Sequence, residues 1–312
     1  MHYTFKEEDK VKIIERFGND YCRNVEGLIE PLTQKWQVDA LELISSFSSN
    51  LVFKGHSTVH GSVVMKFGRQ DHEFIGEVNA LNYFDGAGTC KLIDVDLANC
   101  VLLEESICPG DELVLEKSLE SRLEIFCDLF QQLHGNGKSV GTSNEQSLGS
   151  DYKSYEQWLF RIADYMEHQE AWQEVTAHIK NAKALFIDLS AQYPEMSLLH
   201  GDFHYYNILK GERDYKIIDP KGVLGHPIFD TPRYILNEFW DEADKKNVDE
   251  TIRRVFVVFN KRLNIPKNVL SKLLYIEGAM AISWCVEDGA STDEKAQFLQ
   301  TLDKLYGYIE NL

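Results

Sequence analysis

Leu199-His200-Gly201-Asp202-Phe203-His204-Tyr205-Tyr206-Asn207 is the stretch on which the reading of this 312-residue chain turns. It carries the spacing H-x-D-x-x-x-x-N, as His200, Asp202 and Asn207. On so short a loop one carboxylate can face a hydroxyl and take its proton, while an amide oxygen a few residues on faces a hard cation such as Mg2+. A plain polar turn between two strands has no need of so many placed polar groups. The apolar run that follows, Lys216-Ile217-Ile218, ends in Asp219-Pro220-Lys221-Gly222. A carboxylate at the end of an apolar strand is placed to bridge a cation and phosphate oxygens, so Asp219 is read as the second magnesium ligand. Pro220 sets the turn and Gly222 permits an unusual backbone there.

Upstream, Val63-Val64-Met65-Lys66-Phe67 sets one lysine in an apolar strand, where its ammonium needs a partner. Glu77 on the next helical segment supplies one, with Glu73 a turn earlier as its rival. A lysine so held is suited to nucleotide phosphates. No G-x-G-x-x-G lies between the first two strands. The run 45–50, with Ser48 and Ser49, stands there instead, either covering phosphates or making a plain hairpin turn.

Apolar spacing predicts helices over 7–17 and 24–34, the second strained or ended near Pro31. Strands are expected over 40–44, 50–54, 63–67, 89–94 and 101–104, with one helix over 74–84 inserted after the third. After Pro109-Gly110 the pattern turns helical, first as one long helix over 113–134, then as several more to the end. Small strands around the polar cluster interrupt it at 198–218. Lys and Arg number 32 against 50 Asp and Glu, a net charge of −18, which argues against general nucleic-acid binding. The same surplus suits a cationic small substrate, or simply keeps the chain in solution. The six cysteines form no C-x-x-C pair and read as reduced, buried groups. Residues 1–10 lack an apolar signal core and no apolar run is long enough to span a bilayer, so the expectation is a cytoplasmic enzyme with no membrane partner.

With these residues in view, the chain resembles the aminoglycoside phosphotransferase superfamily, and within it the streptomycin 6-kinase and hydroxyurea phosphotransferase branch. His200-Gly201-Asp202-x-His204-x-x-Asn207 matches the superfamily signature. Ile218-Asp219-Pro220-Lys221-Gly222 and Phe84-Asp85-Gly86-Ala87-Gly88 match the branch, while Leu102-Leu103-Glu104-Glu105 matches the family's segment joining the lobes, Leu133-His134-Gly135 the end of a family helix and Trp284-Cys285-Val286-Glu287-Asp288-Gly289 a C-terminal family segment. The resemblance implies an α+β, protein-kinase-like two-lobed fold. A small antiparallel nucleotide-binding lobe with one helix would cover 1–106, and a larger, mostly α-helical catalytic and substrate-binding lobe 107–312. It also implies transfer of the γ-phosphoryl of ATP, with Mg2+, to a hydroxyl of a small molecule such as an aminoglycoside-like antibiotic. Asp202 would be the base, Asn207 and Asp219 the metal ligands, Lys66 the phosphate holder and Glu77 its support. Leu103, Glu104 and Ser106 would receive the adenine through backbone groups. Tyr205-Tyr206 stands where many members carry small residues.

His200, His204 and Asp230 are read as bracing the loop; Lys221 either meets developing phosphate charge or pairs with a carboxylate. Glu238, Asp241, Glu242, Asp244, Glu287 and Asp288 form acidic clusters, and Glu287-Asp288 is the expected anchor for a cationic acceptor. Two alternatives stay open at this level. One is a kinase of an ordinary metabolite. The other is a zinc hydrolase built on His200, Asp202 and His204.

Overall fold

A computed structural model describes residues 3–44, 50–69, 71–135, 152–240 and 247–311. Ser48 and Ser49, and the acidic Asp241, Glu242 and Asp244, lie outside the described residues. The chain divides into two compact units, Met1–Gly110 and Asp111–Leu312.

In the first unit α1 (Glu7–Phe17) and α2 (Asn19–Trp36) precede a five-stranded antiparallel sheet. The strands are β1 (Val38–Leu43), β2 (Leu51–Ser57), β3 (Gly61–Phe67), β4 (Leu92–Asp96) and β5 (Val101–Glu105), in the order β1-β2-β3-β5-β4. Side chains alternate across a strand, and here the alternation divides structure from chemistry. Val63, Met65 and Phe67 join Leu51, Phe53, Val101 and Leu103 in a core with Ile13, Val25, Ile29 and Trp36 from the two helices. Lys66, between Met65 and Phe67, is thereby turned to the opposite face. Helix α3 (His72–Phe84) follows β3, capped by the Asp71 carboxylate, which accepts the Phe74 N–H at 3.0 Å. The sheet unit thus carries α1 and α2 as well as the single helix expected after β3.

Pro31 does not end α2, which runs on to Trp36. A helical proline strands the carbonyl four residues earlier and crowds it. That residue is Gly27, exposed like Pro31 itself, so water serves the freed carbonyl and no Cβ adds to the crowding.

In the second unit the helix expected from 113 begins later. Leu113–Leu115 is a 3-10 turn, and α4 (Leu119–His134) starts where Ser118 accepts the Ser121 N–H at 3.3 Å. Helices α5 (Tyr155–Glu167) and α6 (Gln173–Gln192) follow, α5 opening on a Ser154/Gln157 capping box. Two ribbons come next: β6 (Ser197–Leu199) pairs with β9 (Val223–Gly225), and β7 (Ile208–Lys210) with β8 (Tyr215–Ile217). Helices α7 (Pro232–Trp240), α8 (Val248–Leu263), α9 (Lys267–Glu287) and α10 (Lys295–Asn311) complete the unit. α9 is long and apolar enough to span a membrane, yet its most apolar window is 78% buried inside the protein, the mark of a core helix. At Gly278 an added Cβ would stand 2.3 Å from Leu305 Cδ1, so glycine is what lets α10 lie so close to it. Phe126 of α4 stacks near Phe203, Tyr234 and Phe259 at ring centroid distances of 4.4, 4.2 and 5.0 Å. That cluster pins the polar loop to the helices through Phe203, which has no exposed surface.

Candidate active site

The loop between β6 and β7 is held from beneath by Asp230. Its Oδ2 accepts the His200 N–H at 2.8 Å and its Oδ1 the Gly201 N–H at 2.8 Å. His134, at the end of α4, brings Nε2 to 2.9 Å from Oδ2. Gly201 has φ +81°, and a Cβ there would meet Val223, Lys221 and Trp158 at 3.1–3.2 Å. Both backbone and space therefore demand glycine at this point.

The His200 ring is fully buried. Its Nε2 lies 2.9 Å from the Ile218 carbonyl, and its Nδ1 accepts the Asp202 N–H at 3.2 Å. Burial pushes its pKa below the usual histidine value, against the pull of Asp230 and Asp202, which keeps the ring neutral with one donor and one acceptor. Both nitrogens are therefore engaged, and the zinc-hydrolase reading fails on this residue. Among the described residues no group of three or more His, Cys, Asp or Glu side chains is arranged to hold a metal.

Asp202 keeps its carboxylate at the surface of the loop, with 27% of its side chain exposed. Oδ1 lies 3.4 Å from His204 Nε2 and 3.8 Å from Arg233 Nε, and Oδ2 lies 3.4 Å from Asn207 Nδ2. Burial raises its pKa, but the hydrogen bond from His204, with the charges of Arg233 and Lys221, outweighs it and holds the carboxyl well below its ordinary range. His204 Nδ1 accepts the Tyr206 N–H at 3.3 Å, so the imidazole is fixed at both ends. Tyr205 points inward, its hydroxyl donating to the Asn237 carbonyl at 2.7 Å, whereas Tyr206 is 38% exposed.

Asn207 Nδ2 donates to the Asp202 carbonyl at 2.9 Å, which turns its Oδ1 away from the loop. The Ile218 N–H donates to the Asn207 carbonyl at 2.9 Å, placing Asp219 beside it, and the Lys221 N–H donates to the His200 carbonyl at 2.7 Å. Asp219 adopts φ +60°, a left-handed conformation that costs a non-glycine residue about 1 kcal/mol or more. An amide oxygen and a carboxylate are hard donors of the kind Mg2+ prefers.

In the first unit Lys66 Nζ lies 2.5 Å from Glu77 Oε1, with 5% and 8% of the two side chains exposed. Glu73 is exposed on the same helix. Leu103 and Glu104 sit inside β5, flanked by β3 and β4, while Ser106 lies just past the strand with its N–H on the Ser62 carbonyl at 3.1 Å. Of these three, Leu103 and Glu104 have their backbone in the sheet ladder.

The acidic residues change most. Glu287 is not an open anchor: Arg161 grips both its oxygens at 2.6 and 2.9 Å and lowers its pKa. Glu238 is buried, held by Arg122 at 3.0 and 2.6 Å and by the Tyr234 hydroxyl at 2.6 Å. Asp288 remains exposed at the end of α9. Three residues of the site were not singled out from sequence. Arg233, in the first turn of α7, meets Glu277 of α9 at 2.7 Å, and Tyr155 donates its hydroxyl to Glu277 at 2.8 Å. Burial works against the charge of Arg233, but Glu277 and Asp202 hold its pKa above the usual value. No helical periodicity announces a pairing between helices so far apart in sequence.

Comparison with known proteins bears on the family and the fold. The family model described as "Aminoglycoside/hydroxyurea antibiotic resistance kinase" matches residues 35–289. A streptomycin 6-kinase from Streptomyces glaucescens is 21% identical over 283 residues, covering 89% of each chain. A hydroxyurea phosphotransferase from Kitasatospora aureofaciens is 23% identical over 226 residues, 71% of this chain and 64% of its own. Among solved structures, an aminoglycoside phosphotransferase crystallised with ADP and hygromycin B aligns with a TM-score of 0.64 at 16% identity, over 89% of this chain and 97% of that one. A choline/ethanolamine kinase family protein from Mesorhizobium loti aligns with a TM-score of 0.61 at 15% identity, over 92% and 94%. The fold is that of the protein-kinase-like phosphotransferases.

Proposed function

Because this chain belongs to the aminoglycoside/hydroxyurea antibiotic resistance kinases, enzymes that phosphorylate hydroxyl groups, we propose that it transfers the γ-phosphoryl of ATP to a hydroxyl of a small antibiotic-like molecule with Asp202 as the base. The observation that carries the reading is the Asp202 carboxylate, ionised and partly exposed on a loop that Asp230, His200 and Phe203 hold rigid. An ionised carboxylate within reach of the acceptor takes its proton as the oxygen attacks phosphorus, and little covalent work remains beyond positioning.

Asn207 and Asp219 fit Mg2+ by chemistry: both offer oxygen, and the bond from Asn207 Nδ2 to the loop leaves its Oδ1 for a ligand. When bound, the ion neutralises phosphate charge. Lys66, steadied by Glu77, would take nucleotide phosphate oxygens, and the segment from Leu103 to Ser106 would meet the adenine. Lys221, beside the loop, would meet charge on the moving phosphoryl. With Glu287 tied to Arg161, a cationic part of the acceptor has Asp288 as its remaining contact from that pair. A cytoplasmic setting supplies the nucleotide.

The test is ADP release with streptomycin, hydroxyurea and a panel of hydroxylated amines and sugars. Asp202→Asn should cut turnover by about 10²–10⁴-fold with nucleotide affinity nearly unchanged. Near-normal turnover in that variant would overturn the assignment of the base.

A further inference from the structure

Arg233 differs from the other well-held arginines of its unit. Arg122 spends Nη1 on the Glu116 carbonyl at 2.7 Å and Nη2 on Glu238 at 2.6 Å. Arg161 spends both Nη groups on Glu287. The nitrogen of Arg233 nearest to carboxylates among the described residues is Nε, 2.7 Å from Glu277 Oε1 and 3.8 Å from Asp202 Oδ1. Its guanidinium covers the Trp284 ring at 5.2 Å. Nη1 and Nη2 donate no hydrogen bond among the described residues, and 23% of the side chain is exposed. Glu277 cannot swing round to serve them. It is 2% exposed, and Tyr155, 3% exposed, holds its other oxygen.

A guanidinium is a flat fork of five donors. With its Nε edge on Glu277 and one face on Trp284, its Nη edge is what remains. The guanidinium stands beside the Asp202 oxygen that does not face Asn207, with Nε 3.8 Å from it. Trp158 lies edge-on to Trp284, ring centroids 6.3 Å apart, so two half-buried indoles wall the same corner. An acceptor that brought an ammonium here would meet a like charge. One that brought an oxygen would meet charged donors and a flat aromatic surface.

We propose that Arg233 is a specificity-determining residue whose Nη edge receives a carbonyl or similar oxygen next to the hydroxyl that is phosphorylated, with the flat of that group against Trp284. This rests on Asp202 being the base of the reaction. It narrows the acceptor to molecules with a hydrogen-bond-accepting oxygen beside the reacting hydroxyl, and moves any cationic group of the acceptor away from that corner.

The test is titration of the arginine side-chain Nε resonances by nitrogen-15 NMR, with the Arg233 signal identified by its loss in Arg233→Lys. The probes are hydroxyurea and hydroxyguanidinium, which share a skeleton but differ in a carbonyl oxygen against a cationic amino group. Hydroxyurea should shift the Arg233 signal saturably, in wild type and in Asp202→Asn, and hydroxyguanidinium should not. With any acceptor that is turned over, Arg233→Lys should raise the acceptor KM about tenfold or more and leave that of ATP alone. No shift with hydroxyurea, or equal shifts with both probes, overturns the proposal. A shift produced by AMP-PNP with Mg2+ but not by hydroxyurea overturns it too, assigning the fork to the phosphoryl group. Failure of ADP release with every acceptor would instead count against the phosphotransfer reading, since the NMR result needs no turnover.

Discussion

Replacing Asp230 by alanine should unfold the second unit more readily than any change at the reacting carboxylate. Asp230 is 1% exposed and receives the His200 N–H, the Gly201 N–H and His134 Nε2, all within 2.9 Å. Alanine leaves all three donors without their acceptor in a region that water does not reach. Each stranded buried donor costs about 1–3 kcal/mol, so the sum is about 3–6 kcal/mol once the loop at Gly201 relaxes toward solvent. That is a large share of the ~5–15 kcal/mol by which a domain is stable. His134→Ala removes one donor and leaves Asp230 with two, so about 1–2 kcal/mol is expected. Asp202→Asn is the control, since its carboxylate is 27% exposed and water can replace its partners. The assay is urea unfolding followed by tryptophan fluorescence, which reports chiefly on the second unit because Trp158, Trp172, Trp240 and Trp284 lie there. An Asp230→Ala protein within about 1 kcal/mol of wild type would refute the reasoning, because it would mean that the three bonds are not buried in solution.

Breaking the buried Lys66–Glu77 pair from either side should cost about 3–5 kcal/mol, and the double variant Lys66→Met/Glu77→Leu clearly less than the two singles together; additive losses in the unfolding cycle would show that they act apart. Asp219→Ala should remove the Mg2+ dependence of ATP binding measured by calorimetry, and an unchanged dependence would deny it the ligand role. Burial holds the pKa values of His178, His200 and His226 below the ordinary value, so the unfolded chain binds protons that the folded one refuses. Their stabilisation is complete above pH ~6.5 and is lost as pH falls below it, so the Tm should drop between pH ~7 and ~5. A Tm that stayed level or rose over that interval would contradict the assignment.

The strand with Lys66 could be read from sequence because alternation is local: Val63, Met65 and Phe67 mark one face and Lys66 the other. The loop from His200 to Asn207 was as plain, since its spacing is itself the chemistry. The helix did not end at Pro31 because the penalty for a helical proline depends on whether the freed carbonyl is wet, and exposure is a tertiary property. Glu287 and Glu238 differ from their reading for a similar reason. Glu287 reads as an open carboxylate until Arg161, 126 residues away, is seen to close on it. His134 was visible only inside a family motif, without a partner. Arg233 and Glu277 carry no local signal, because an arginine in the first turn of one helix and a glutamate within an apolar one acquire meaning only where the helices cross.

The central claim is that phosphorus moves from nucleotide to the acceptor's own hydroxyl oxygen, with Asp202 taking the proton. It is tested most directly by phosphorus NMR of the product formed from an acceptor labelled with oxygen-18 at the hydroxyl. The account predicts a phosphate monoester that retains the label in its bridging oxygen, formed by wild type and suppressed about 10²–10⁴-fold in Asp202→Asn. Inorganic phosphate as the sole product, or an ester formed as fast by the variant, would contradict it.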